Sequence, residues 1–254
     1  MSYQPIETPP PFAPDRFPEA ELRGVYRAIH SRRDIRQFRD EPIPDPALAR
    51  IIQAAHHGPS VGFMQPWDFI LIRDFEVRKQ VKELFQRERA AAACFFDEPR
   101  RSRYLSFKLE GILEAPLNLC VTCDPTRANV VVGRNSIPET DVYSTCCAVE
   151  NLWLAARGEG IGVGWVSILK VPQLREILGI PPHIVPVAYL CLGYPEEFSD
   201  RPLLETVGWR ERQPIDQLVH FEGWEDTGSG LASWRAFQRA LSSANGGDGL
   251  APAG

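Results

Sequence analysis

Three arginines and an aspartate share six positions in Ser31-Arg32-Arg33-Asp34-Ile35-Arg36, within a chain whose net charge is -5. Guanidinium forks match phosphate oxygens two at a time, so the run could hold a phosphorylated ligand. The plainer alternative is a solvated helix end, because cations near a C-terminus complement the helix dipole. Asp34 is the odd member: cations on both sides should keep it ionised, acceptor-only, and able to take a proton or fix a ligand hydroxyl. A simple surface salt bridge is the competing reading.

Two further segments could carry chemistry. His57 to Trp67 is a loop with two prolines and two glycines that also holds Phe63, Met64 and Trp67. Large apolar groups on a loop call for a cover, a flat ligand ring or a place in the core. Gly160 to Ser167 alternates glycine with apolar residues. It is not a dinucleotide fingerprint, since the glycines follow a helix and lead into a strand, the reverse of the required order. They do let something approach the backbone closely, and Ser167 at the far end could face a ligand or be an ordinary strand serine. Cys120 and Cys123 fall on opposite faces of one strand with no second CxxC pair, so no metal site is expected, and no hydrolase motif is present.

The elements that must position these residues follow from punctuation and period. Pro18 opens a helix to about His30, and Asp45-Pro46 opens another that Gly58-Pro59 stops. Helical patterns also cover Glu76 to Cys94, Asp141 to Arg157 and Pro172 to Leu178. Short apolar runs at Phe69–Ile72, Leu117–Val121, Val163–Ile168 and Val185–Leu192 read as four strands of a central sheet covered on both faces. The class is α/β or α+β, and the pattern leaves strand order open. Residues 1–18, with six prolines, form an extended arm. Residues 19–225 form the main domain, and residues 226–254 a tail in which Leu231, Trp234, Phe237 and Leu241 recur at helical spacing, with the last ten residues disordered.

With 28 Lys+Arg against 33 Asp+Glu there is no general basic field for nucleic acid or an anionic membrane. No run is long and apolar enough to span a bilayer, and the start lacks a signal-peptide pattern, so a cytoplasmic location is expected. The six cysteines lie in or beside apolar runs, as reduced thiols do.

The Arg-rich segment, the Pro59 to Trp67 loop and the Gly160 to Ser167 strand entry, in that order and at those intervals, resemble the FMN-binding nitroreductase-like family over about residues 20 to 212. Ser31 to Arg36, Pro59 to Trp67, Lys108-Leu109-Glu110-Gly111 and Gly162 to Ser167 are similar to its 5,6-dimethylbenzimidazole synthase branch. Ordinary nitroreductases carry serine at the position of Asp34 and asparagine at that of Met64. The resemblance implies an α+β fold with a mixed central β-sheet flanked by helices, an intertwined homodimer with two interfacial FMN sites, and a lid within residues 83–110.

It also implies an activity and roles. Reduced FMN would be fragmented with O2 to 5,6-dimethylbenzimidazole, the lower axial ligand of cobalamin, and a separate flavin reductase would supply the reduced FMN. The alternative is an NAD(P)H-dependent FMN nitroreductase on the same scaffold. Arg32, Arg33, Ile35 and Arg36 would bind FMN, with Arg201 as an additional phosphate contact. Ser60, Met64 and Leu109 would touch the flavin. Asp34 would be the proton acceptor, and Ser167 would orient the reacting edge of the flavin.

Overall fold

In a computed structural model, residues 15–224 and 234–245 are described, with backbone only for 242–245. Most of the Pro-rich arm, Leu231 and nearly all of the last ten residues lie outside that range. The chain divides into two compact units, at Asp200 and Arg201.

The first unit is built on a four-stranded sheet. Strands β1 (Trp67–Ile72), β2 (Leu117–Cys123), β3 (Gly162–Trp165) and β4 (Val185–Gly193) stand in the order β1-β2-β4-β3, and every neighbouring pair is antiparallel. The mixed character expected of the sheet reduces to one parallel bridge, between Asp34 and Val163 on the outer edge of β3.

Local chemistry sets the helices that cover it. Pro18 precedes α1 (Glu19–Ser31), and Pro46 occupies the first turn of α2 (Asp45–His56), where its missing N–H costs nothing. The Asp74 carboxylate accepts from Val77 N–H at 2.9 Å and caps α3 (Phe75–Ala93). A short helix, α4 (Arg100–Ser106), precedes β2, and the long α5 (Thr140–Gly158) precedes β3. Helix α6 (Val171–Leu178) ends at Gly179, whose φ of +63° is the left-handed cap that glycine adopts without strain.

Alternation in the strands divides the core into two layers. Leu117, Leu119 and Val121 of β2, with Ala188, Leu190 and Leu192 of β4, pack against α2 and α5. Cys120, Tyr189 and Cys191 point the other way, into a layer with Val81, Leu84 and Phe85 of α3 and Leu174 of α6. Period-two side chains covered on both faces are what a run of continuous apolar strand sequence encodes.

The second unit holds α7 (Leu203–Thr206), a 3-10 turn at Ile215–Gln217 and α8 (Arg235–Asn245). Phe221, 5% exposed, packs against Trp234 and Phe237 at ring distances of 4.7 and 6.3 Å.

Among the described residues no helix is long and apolar enough to cross a membrane, and no group of His, Cys, Asp and Glu could hold a metal ion.

Candidate functional site

Asp34 lies where the chain leaving α1 meets β3. Ile35 N–H donates to Val163 O at 2.9 Å, and Trp165 N–H donates to Asp34 Oδ1 at 2.8 Å. Arg36 Nη2 reaches both the other oxygen of Asp34 and, at 2.8 Å, Trp165 O. The carboxylate is thus fixed from two sides, while 47% of its side-chain surface remains open. Desolvation pushes the Asp34 carboxyl above its usual range, against the pull of the Arg36 charge, the Trp165 N–H and Arg32. The sequence alone suggested the opposite net direction, because counting cations omits the cost of surrounding the charge with protein. Solvent at the open side limits that upward push.

Glycine makes this meeting possible. A Cβ on Gly164 would stand 2.0 Å from Ile35 O and 2.7 Å from Arg36 Nη1, and one on Gly162 would stand 2.8 Å from the Ile35 side chain. The close approach that the alternating glycines permit is therefore that of the chain's own Ile35-Arg36 segment.

The three arginines have different surroundings. Arg32 lies 5.3 Å over the Trp153 ring and 3.5 Å from Glu150, with 40% of its side chain open. Arg33 donates to the carbonyls of His30 and Arg32, each at 2.7 Å, and to that of Asp200. Arg36 is 13% open, and its Nη1 has no acceptor among the described residues. Arg201 is an exposed residue of the second unit, separated from α7 by Pro202.

The aromatic loop separates its members. Trp67 is core, 3% exposed, with its indole N–H donating to His56 Nδ1 at 3.1 Å. Phe63 is 81% exposed. Gly62, Phe63 and Gln65 all have positive φ, between 51° and 55°, a conformation that costs a phenylalanine or glutamine energy and that recurs at functional loops. The Ser60 hydroxyl accepts from Gln65 N–H at 3.1 Å, closing the turn. Met64 is buried at the wall of an open cleft of about 790 Å³ that also borders α2, Trp67 and Arg127. Asp34 and Ser167 are not on that cleft.

Ser167 is exposed two residues beyond β3, which ends at Trp165 and not at Ile168. Leu109 is half-buried and packs against the layer that contains Ile35 and Phe38. Beside it, buried Glu110 pairs with Lys82 of α3 and accepts from Ile112 N–H at 2.8 Å. A Cβ on Gly111 would meet the Phe38 ring at 2.5 Å and Arg36 O at 3.0 Å, so the 109–112 turn backs directly onto the Asp34 segment. Within residues 83–110, Arg89 holds the end of α4 by bonds of 2.6 Å to Leu105 O and Phe107 O.

One organising element was not apparent from sequence. Helix α5 holds the Asp34 segment through Trp153 Nε1 to Arg33 O and Arg157 Nε to Ser31 O, both 3.3 Å, and the aromatic loop through Val61 N–H to the Ser144 hydroxyl, 3.0 Å. Ser144 and Arg157 are thirteen residues apart, which places the two anchor points about 20 Å apart along one helix. The spacing of Trp153 and Arg157, i and i+4, was the available signal; nothing marked their partners.

The pattern of the Nitroreductase family matches residues 29–194. The chain is 44% identical over 192 residues to 5,6-dimethylbenzimidazole synthase of Rhodospirillum rubrum, covering 75% of this chain and 91% of that protein. It is 37% identical over 202 residues to the enzyme of the same name from Rhodobacter capsulatus, covering 79% and 97%. Among solved structures, iodotyrosine deiodinase bound to FMN and 3-iodo-L-tyrosine superposes with a TM-score of 0.63 at 20% identity, covering 79% of this chain and 100% of that one. At that identity the likeness concerns the fold alone. With the family pattern spanning most of the chain and relatives matched nearly end to end, this chain belongs to the nitroreductase family.

Proposed function

We propose that this chain is a 5,6-dimethylbenzimidazole synthase, fragmenting reduced FMN with O2 to give the lower axial ligand of cobalamin. The observation that carries the reading is the Asp34 carboxylate, held by Trp165 N–H and Arg36 yet open on one side, in a chain 44% identical to a protein of that name.

The residues present fit a flavin phosphate ester. Among the described residues Arg36 Nη1 is a donor without an acceptor, Arg32 keeps an accessible guanidinium, and the exposed Ser167 hydroxyl stands beyond the same strand end that fixes Asp34. In this reading Arg32, Arg33 and Arg36 bind the phosphate and ribityl region. Ser60, Met64, Ile35 and Leu109 make the flavin's surroundings. Reduced flavin supplies the electrons that O2 accepts and the ring atoms that become product.

The chain's contribution is then positional and protolytic. Asp34 takes a proton, with the Trp165 N–H fixing the carboxylate's direction and Arg36 stabilising its charged form. Ser167 donates or accepts at the reacting edge. Segment 83–110 closes over the site and keeps bulk water out. Two copies form a homodimer, each completing the other's site, and a separate flavin reductase delivers reduced FMN.

The test is to mix purified protein with FMN and a reductant in air and to search for 5,6-dimethylbenzimidazole by chromatography and mass spectrometry. Protein-dependent appearance of the product is expected. Intact FMN together with sustained NAD(P)H oxidation on an added nitroaromatic would instead assign the NAD(P)H-dependent nitroreductase activity.

A further inference from the structure

The turn at residues 109–112 contains a buried acid that takes no part in the proton chemistry. Glu110, 5% exposed, uses both of its carboxylate oxygens. One is paired with Lys82 Nζ of α3, and the other accepts from Ile112 N–H at 2.8 Å. From β2, buried Asn118 Nδ2 donates to Ile112 O at 3.0 Å, so both backbone polar groups of Ile112 are held by buried side chains. Two apolar side chains would fill the place of Lys82 and Glu110 with less desolvation, so stability alone gives little reason for a charge pair there.

The other side of the turn meets the Asp34 segment. A Cβ on Gly111 would stand 3.0 Å from Arg36 O, and one on Gly164 would stand 2.7 Å from Arg36 Nη1. Arg36 is therefore backed by Gly111 at its main chain and by Gly164 at its guanidinium. The Phe38 ring, two residues on, is wedged in the same way between Gly111 and Gly193. A drift of the turn by a few tenths of an ångström must be passed to Arg36, and with it to the bond from Arg36 Nη2 to Asp34. The charged and titratable groups around Asp34 are Arg36, Arg32, which Glu150 of α5 also faces at 3.5 Å, and the buried thiol of Cys191, opposite Gly164 on β4. Against the desolvation that raises the Asp34 carboxyl, the Arg36 charge is the strongest opposing pull.

We propose that Glu110, braced by Lys82, is a positioning residue: it sets the 109–112 turn so that Arg36 stays against Asp34 and keeps that carboxylate available as a base. This deepens the synthase reading and rests on it for the reaction served. A carboxylate bonded at once to α3 and to the backbone of its own turn fixes a direction, which an apolar side chain of the same volume does not.

The test compares the wild-type full chain with Glu110→Gln and with the double substitution Glu110→Leu, Lys82→Met, which leaves no buried charge without its partner. Each is given reduced FMN and O2, benzimidazole formation is followed against pH, and FMN affinity is read by flavin fluorescence. The double variant should form product about tenfold to a hundredfold more slowly while binding FMN within about threefold, with Glu110→Gln between it and the wild type. Its acid limb should also stand at higher pH, because loosening Arg36 removes the pull that lowers the Asp34 carboxyl. A wild-type rate, or a rate lowered equally at every pH with the limb unmoved, would make Glu110 a support of the fold alone and overturns the proposal. If the double variant does not fold, Glu110→Gln decides on the same two readings. If the wild type makes no benzimidazole, the synthase reading itself falls. The positioning is then read from a carboxyl-carbon NMR titration of Asp34 in the flavin-free chain, assigned with Asp34→Asn: a midpoint moved to higher pH in the Glu110 variants supports it, and an unmoved midpoint overturns it.

Discussion

At the scale of single residues, the Asp34 carboxyl sets two expectations. Asp34→Asn keeps the shape but not the proton-accepting charge, so flavin binding should persist within a few-fold while benzimidazole formation falls by at least about a hundredfold, the lower end of what one general base contributes. Wild-type yield from that variant would take Asp34 out of the reaction. The direction of its pKa gives the pH dependence. Because burial raises it, the folded chain holds this proton more tightly than the unfolded chain, and the ionised carboxylate costs stability as pH rises through that interval. The base becomes available over the same interval, so the acid limb of the product-formation profile should stand above the ordinary aspartate value and vanish in the Asn variant. Sequence displayed the residue types at this site well, since arginines around an aspartate are conspicuous. It could not display their division of labour. Arg33 bonding to backbone carbonyls, Arg36 buried on Asp34 and Trp67 sunk in the core all depend on contacts more than a hundred residues apart, or on a face that only packing selects.

At the scale of elements, the long helices and the strand centres were legible because proline, glycine and period mark them locally. Helix α4 was not: its seven residues, Arg100–Ser106, have no apolar stripe, and Arg89 fastens its end from α3. The far end of β3 was overextended because Val166 is buried as a strand residue would be, although the sheet has already ended at Trp165. The same strand gives a sharp contrast between glycines. Gly164→Ala would drive a Cβ into Ile35 O, and the strand must shift or Asp34 must move; a loss of about 3 kcal/mol or more in urea denaturation is expected, with loss of product formation. Gly24→Ala, in the middle of α1 with nothing within 4 Å, should instead stabilise by about 0.5–1 kcal/mol. A destabilised Gly24 variant or an unaffected Gly164 variant would refute this account of the two positions. The 109–112 turn behaves as an element too. Lys82→Met leaves Glu110, 6% open, as a buried charge without its partner and should cost about 2–3 kcal/mol, much of it recovered by adding Glu110→Gln.

At the scale of the whole molecule, the surface of the first unit bears on the proposed homodimer. Helix α1 buries none of its residues, yet Leu22, Val25, Tyr26 and Ile29 recur at the i, i+3, i+4, i+7 spacing of a core-facing stripe, and the last three stay 44–50% exposed. Phe63, Val130 and Val132 are each more than 80% exposed, and Gly62 packs under Val131 and Val132, so these two loops present one apolar surface. Isolated apolar residues on a surface need no explanation, but a whole helical stripe facing away from its own core does. If that stripe is an interface between copies, the 28.6 kDa chain should sediment as a species of twice that mass, and Tyr26→Glu with Ile29→Glu should shift it to the single-chain mass at micromolar concentration. Flavin affinity should fall with it, because a shared site is incomplete in one copy. A dimer untouched by the double substitution would move the interface away from α1. A wild type that sediments as a single chain and still binds flavin would show that Asp34, Arg36 and Ser167 form a site within one copy, and the exposed stripe would then need another partner.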